Sequence, residues 1–149
     1  MKLIPPVLCT LALSALAGPA FGGLGGDSAS VRADLLQMKG ALRITPGAGF
    51  TVHEITFPSG TLVREYVSGD DRVFAVSWRG AGIPDLRAML GSYYREFAQA
   101  VSAAPRNHHH LAIERPGLVV QSTGHMRAFY GRAWAPDLLP PNFSIARID

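Results

Sequence analysis

The feature that most restricts the fold of this chain is a block of β-type sequence between residues 50 and 78. It contains three runs rich in β-branched and aromatic residues, at 50–57, 61–67 and 72–78. The connections between them, 58–60 and 68–71, are short and consist of Pro, Ser, Gly and Asp. Such turns join antiparallel neighbours, because a parallel crossover needs a dozen or more residues. The block therefore predicts a three-stranded antiparallel meander.

A helix is predicted over 84–103, directly after the meander. Pro84 and Asp85 are typical of a helix start, and Pro105 is typical of a segment that follows a helix end. Apolar residues then recur at three- and four-residue intervals: Leu86, Met89, Leu90, Tyr93, Phe97, Ala100 and Val101. Gly91 within this helix costs about 1 kcal/mol relative to alanine, and a close approach to the sheet would explain it.

Two further strands are predicted at 118–122 and 127–134, with a turn at Thr123 and Gly124. The expected fold class is therefore α+β: an antiparallel sheet of about five strands, the meander plus a later hairpin, packed against one main helix. We expect 50–149 to form a single α+β domain. Residues 23–49 are expected to be a flexible segment with one short candidate helix, since glycines precede a weak helical pattern.

Residues 1–22 have the features of a cleavable secretory signal. Lys2 precedes an apolar run from Leu3 to Ala17, and prolines and Gly18 bound a stretch that is short for a membrane span. The mature chain is therefore predicted to be secreted, either periplasmic or extracellular, with no membrane span after cleavage. Cys9 is the only cysteine and lies within the signal, so no disulfide is expected.

The charge pattern gives little support to nucleic-acid binding. The formal net charge is +3, and the basic residues are scattered rather than gathered in one run. Scattered arginines could favour weak contact with acidic lipids or polysaccharide at an envelope surface, although a modest positive charge usually serves solubility alone. Arg64 and Arg79 are expected to form surface ion pairs.

The histidine run at 108–110 is the first candidate site. Imidazole is a common copper and zinc ligand, and His108 and His110 share a face if the segment is extended. A closed metal site would need a further ligand, and the candidate set is His108, His110 and His125, with His53, Met126 or a nearby carboxylate as the alternatives to His125. The alternative is a solvated loop between a helix and a strand.

The predicted hairpin turn near His125 and Arg127 is a candidate interaction surface, because side chains at such turns project into solvent. The alternative is a histidine that is hydrogen-bonded to the turn backbone, with Met126 packed inward.

Common catalytic motifs are absent from the sequence. Ser122 lacks the G-x-S-x-G pattern because Val120 occupies the first glycine position, and neither H-E-x-x-H nor a phosphate loop occurs. Glu54 and Glu65 could imitate a glycosidase pair, but paired strands usually turn such charges to solvent. The aromatic residues, Tyr130 among them, are assigned to the core.

These observations favour a non-enzymatic exported protein that binds an unknown envelope or exported partner, with no cofactor. Two alternatives remain: a histidine-dependent metal-binding protein of the envelope, and a hydrolase with an unfamiliar site. The hydrolase would require a concave pocket that holds at least two titratable groups with shifted pKa values.

Several collinear blocks resemble one family of exported bacterial proteins, domain of unknown function 2844. The blocks are 24–26, 59–67, 73–78, 84–86, 90–93 and 124–129. The resemblance covers nearly all of the chain after the signal. It implies export and a single shared domain, and it brings no activity, cofactor or catalytic residue.

Signal cleavage is directly testable. Small residues allow a cut after Ala17, Ala20 or Gly22. When the full chain is expressed in a bacterium with an outer membrane, we expect mass spectrometry of the exported product to find an N-terminus at residue 18, 21 or 23. Recovery of the uncut chain in the cytoplasm would contradict the signal.

Overall fold

The computed structural model describes residues 23–32, 39–103 and 110–149. Its strands form a single seven-stranded sheet in which every neighbouring pair is antiparallel, in the order β1-β2-β3-β4-β7-β6-β5. The strands are β1 (Ala41–Pro46), β2 (Phe50–Thr56), β3 (Leu62–Ser68), β4 (Val73–Gly80), β5 (His110–Glu114), β6 (Val119–His125) and β7 (Ala128–Trp134).

The prediction of an α+β fold with about five strands was wrong. The chain is mostly a seven-stranded sheet, and the two strands that the sequence did not indicate, β1 and β5, are its outer edges. Edge strands lack the continuous apolar pattern that marks a buried strand, and most residues of β1 and β5 are exposed. The last hairpin also turns at Met126 and Arg127, because β6 continues through the predicted turn to His125.

The predicted helix over 84–103 is broken at Gly91. It consists of α1 (Leu86–Leu90), a 3₁₀ turn (Gly91–Tyr93) and α2 (Tyr94–Ala103). Gly91 has φ 51°, a conformation that favours glycine. An added Cβ there would lie 3.0 Å from the carbonyl oxygen of Leu24, so the close approach is to the N-terminal segment and not to the sheet.

One face of the sheet is covered by the helices and by the N-terminal segment. Directly opposed residues in antiparallel strands share a face, so the register places Val63, Val76 and Ala133 on this side. They form the larger core cluster with Leu90 and Phe97 of the helical layer.

The N-terminal segment is tied to this layer by backbone hydrogen bonds. The amide of Leu24 donates to Met89, and Gly25 and Gly26 exchange hydrogen bonds with Val73. Leu24 is fully buried, and residues 28–32 are helical. No helix of the described ranges is long and apolar enough to cross a membrane.

The opposite face of the sheet is partly covered by the segment after β7. Phe143 of this C-terminal segment meets Phe50, Tyr66 and Phe74 at ring-centroid distances of 4.7 to 6.3 Å. Ile148 is buried beside them. The rest of this face, beyond Ile148, holds the polar groove described below.

Close packing between β4 and β7 gives a stability prediction. The register pairs Trp78 with Gly131, and a Cβ added at Gly131 would lie 2.0 Å from Cζ2 of Trp78. Because the indole is buried, we expect Gly131→Ala to lower the free energy of unfolding by about 3 kcal/mol, measured by urea denaturation. Gly82→Ala is the matched control, since no atom of the described residues lies within 4 Å of an added Cβ there, and it should change stability by less than about 0.5 kcal/mol. Equal stabilities of the two variants would contradict the packing argument.

Candidate ligand-binding groove

A row of polar and aromatic side chains crosses four neighbouring strands on the face that the C-terminal segment covers in part. The register pairs Arg79 of β4 with Tyr130 of β7, Tyr130 with Thr123 of β6, and Thr123 with His110 of β5. Opposed residues share a face, so all four side chains lie on one side of the sheet. Tyr130 is 55% exposed, and Arg79, Thr123 and His110 are also exposed.

A second row lies two residues further along each strand and is closer to the C-terminal segment. Here Ser77 pairs with Arg132, Arg132 with Gln121, and Arg64 of β3 with Ser77. Apart from the buried Ser77, the residues of the two rows line a groove of about 510 Å³. Three arginines are among its described lining residues, and because Arg64 is ion-paired with Glu54 and Asp149, the positive charge that the groove offers to a ligand comes from Arg79 and Arg132.

Arg132 is held in place by several contacts. Its Nε donates to Oε1 of Gln121 at 2.9 Å, and its Nη1 donates to the carbonyl oxygens of Ile145 and Ile148 at 3.3 Å. Its guanidinium carbon also lies 5.5 Å from the ring centroid of Trp134. The cation is therefore positioned before any ligand arrives, whereas the guanidinium group of Arg79 has no hydrogen bond or ion pair to any residue in the described ranges.

One end of the groove is closed by Asp149. Its main-chain oxygen accepts hydrogen bonds from Ser77 Oγ at 2.6 Å and from Arg64 Nη1 at 2.8 Å, and its carboxylate lies 3.1 Å from both Arg64 Nη1 and the Tyr66 hydroxyl. Arg64 also donates to Glu54 at 2.9 Å. Burial by itself lowers the pKa of Arg64. The hydrogen bond to Glu54 and the charges of Asp149 and Glu54 together outweigh burial, so the pKa of Arg64 lies above its ordinary value.

The structure places the predicted site residues in three locations. His110 lies in the groove, and His125 is exposed on the same face of β6, two residues beyond Thr123. Arg127 lies in the hairpin turn with φ 70°, beside Met126, which is 92% exposed. His108 lies outside the described residues.

His53 is separated from these histidines by the sheet itself. It is opposed to Glu65, on the helix-covered face, and is only 4% exposed. Within the described part of the chain, no group of three or more His, Cys, Asp or Glu residues could hold a metal ion. The metal site at His108, His110 and His125 stays a prediction, without His53 as a ligand.

Two earlier assignments change with the structure. Tyr130, assigned to the core, is exposed in the groove. Arg79, assigned to a surface ion pair, has no such pair among described residues, whereas Arg64 does form one. These groove residues are far apart in the sequence, and only the pairing of β4 with β7 brings them together. The sequence offered one signal, alternation along β7, which puts Tyr130 and Arg132 on a common face.

A second cavity of about 640 Å³ lies on the helix-covered face. Its walls are largely apolar, with Ile55, Val63 and Met89 among them. Asp85 also lines this cavity, but its carboxylate caps α1, where it accepts hydrogen bonds from the backbone amides of Arg87 and Ala88. Glu65 lines it too, whereas Glu54 lies on the opposite face with Arg64, so the two glutamates do not form a catalytic pair.

Comparison with known proteins identifies a family. The family model described as "Protein of unknown function (DUF2844)" matches residues 20–148. The match includes every strand of the sheet and confirms the resemblance drawn from the sequence blocks. No curated protein and no solved structure matches the chain.

The buried His53 generates a pH prediction. Burial lowers its pKa below the ordinary 6.5, and the charge of Arg32 lowers it further, while Asp71 acts weakly in the opposite direction. Its Nδ1 has no hydrogen-bond partner among the described residues, and Glu65 is the residue opposed to it on β3. The unfolded chain therefore binds a proton at His53 before the folded chain does, so this residue's contribution to stability is complete above about pH 6.5 and is lost as pH falls below it.

Urea denaturation between about pH 7.5 and about pH 5 measures this contribution. As the pH falls over that range, we expect the free energy of unfolding to decline less steeply in His53→Gln than in the original chain. His125→Gln removes an exposed histidine and serves as the control, with the original slope retained. Identical slopes in all three proteins would contradict the assignment.

Proposed function

Because the chain belongs to the family described as "Protein of unknown function (DUF2844)", whose description assigns no activity, we propose a function from the groove itself. The protein is an exported, non-enzymatic binding protein that takes an anionic ligand on the uncovered part of the sheet. The observation that carries this proposal is the convergence of Arg79 and Arg132 with His110 in one groove, beside the ion-paired Arg64.

Charge and geometry both support an anionic ligand. The guanidinium group is planar, always charged and suited to paired hydrogen bonds with carboxylate or phosphate. Arg64 already holds two carboxylates, that of Glu54 at 2.9 Å and that of Asp149 at 3.1 Å. A ligand carboxylate at Arg79 or Arg132 would therefore meet the same chemistry that the fold uses at the closed end of the groove.

The fixed position of Arg132 also supports binding. A long side chain that is ordered only on ligand binding loses about 0.5–1.5 kcal/mol of conformational freedom. Arg132 has already lost that freedom to Gln121, Ile145 and Ile148. Its Nη2 makes no hydrogen bond within the described residues and remains a donor toward a ligand.

The proposal that the protein is exported rests on the predicted signal at residues 1–22. Export would expose the groove to the cell envelope or the medium. The proposed location is the periplasm or the outside of the cell. The ligand or partner would accordingly be an exported or envelope component.

Charge reversal at the groove tests the proposal. Poly-L-glutamate supplies carboxylates without any other recognition element, and its Kd can be followed by isothermal titration calorimetry at low salt. Arg79→Glu replaces an attraction with a repulsion, each worth about 0.5–1 kcal/mol at an exposed site, and should weaken binding roughly tenfold. The control Arg95→Glu makes the same charge change at an exposed position of α2, in the helical layer, and should bind like the original chain. Equal weakening by both variants, or no binding by the original chain, would refute the groove as the site.

A further inference from the structure

The groove residues are spaced for an extended ligand, and this inference rests on the proposed function. Arg79, Tyr130, Thr123 and His110 come from four consecutive strands at one level of the sheet. Neighbouring strands lie about 4.8 Å apart, so the row spans roughly 14 Å. A chain that runs across the strands would meet a new side chain at each step, whereas a small anion would use only one or two of them.

The middle of the row is suited to a sugar ring. Tyr130 is 55% exposed and is flanked by a cation on one side, Arg79, and a hydroxyl on the other, Thr123. An exposed tyrosine face offers apolar contact area with little loss of conformational entropy, and a pyranose ring presents a C–H face to such a surface. Carboxylates along the sugar chain would then meet Arg79 on the neighbouring strand and Arg132, two residues further along β7.

Gln121 supplies a donor for sugar hydroxyls. Its Oε1 accepts from Nε of Arg132 at 2.9 Å, which fixes the amide orientation and turns the NH₂ group away from the arginine. Gln121 lines the groove beside Arg132 and Tyr130. The groove thus combines an aromatic platform, an oriented amide donor and guanidinium groups.

We infer that the ligand is an acidic polysaccharide, a chain of uronate-type sugars that lies across β4, β7, β6 and β5. An acidic lipid surface fits less well, because the other large exposed apolar side chains in the described residues, such as Ile44, Ile83 and Met126, lie outside the groove. Single-stranded nucleic acid fits less well too, because successive bases need successive large aromatic platforms, and among the described lining residues Tyr130 is the one exposed Phe, Tyr or Trp.

The test compares four probes against the mature chain by calorimetry: an oligogalacturonate, a neutral cello-oligosaccharide of the same length, a charge-matched poly-L-glutamate and a charge-matched oligo-dT. We expect the oligogalacturonate to bind at least about tenfold more tightly than each of the others. Tyr130→Ala should weaken oligogalacturonate binding by about tenfold and weaken poly-L-glutamate binding much less, since the sugar ring stacks on the tyrosine and the carboxylates bind the arginines. Tyr130→Phe keeps the ring and should bind like the original chain. Because Tyr130 is exposed, both variants should retain the original thermal midpoint.

The outcomes separate the two proposals. Equal binding of oligogalacturonate and poly-L-glutamate, with no effect of Tyr130→Ala, would overturn the polysaccharide ligand and leave the anionic groove intact. Tighter binding of oligo-dT would overturn it in favour of nucleic acid. Binding of none of the anionic probes would overturn both the polysaccharide and the proposed function.

Discussion

Strand β4 is buried on both faces, and the rest of the architecture follows from that requirement. Its residues 73–78 are all buried, with Val76 and Trp78 toward the helical layer and Ala75 and Ser77 toward the C-terminal segment. A strand of this kind must lie in the middle of a sheet that is covered twice. The chain meets the requirement by pairing β4 with β3 on one side and with β7 on the other, which joins the meander to the later strands.

The C-terminal segment covers only part of the second face of the sheet, and the groove lies on the part that it leaves uncovered. The C-terminal segment buries the aromatic cluster of Phe50, Tyr66 and Phe74 with Phe143, and its last residues are fixed by polar contacts to Ser77 and Arg64. Beyond that point the same sheet face presents arginines, amides and Tyr130 in place of apolar side chains. Along β7 the residues on this face change from the buried Trp134, through the half-buried Arg132, to the exposed Tyr130, and this change marks the boundary between core and site.

How much of this was visible in the sequence depends on the range of the interaction concerned. The strands from Phe50 to Trp78 are defined by local periodicity and short turns, and their positions were predictable. The edge strand at Ala41–Pro46 was not predictable, because most of its residues are exposed and the apolar pattern belongs to β2, the strand with which it pairs. Pro46 and Gly47 also favour a loop at this position. The groove was the least predictable feature, since Arg79 and Tyr130 become neighbours only through a long-range register that no local pattern encodes.

The same dependence on register explains why the histidines, the most conspicuous polar residues of the sequence, did not reveal the site. Side chains of successive residues in a strand point to opposite faces, so the location of each histidine is set by its parity within its strand. His53 falls on the covered face and becomes a buried neutral group, whereas His110 falls on the open face and joins the arginines. A shift of one residue in either strand would exchange these roles. The sheet register therefore determines which side chains share the face that contains the groove. The extent of the C-terminal segment determines how many of those side chains are exposed to solvent.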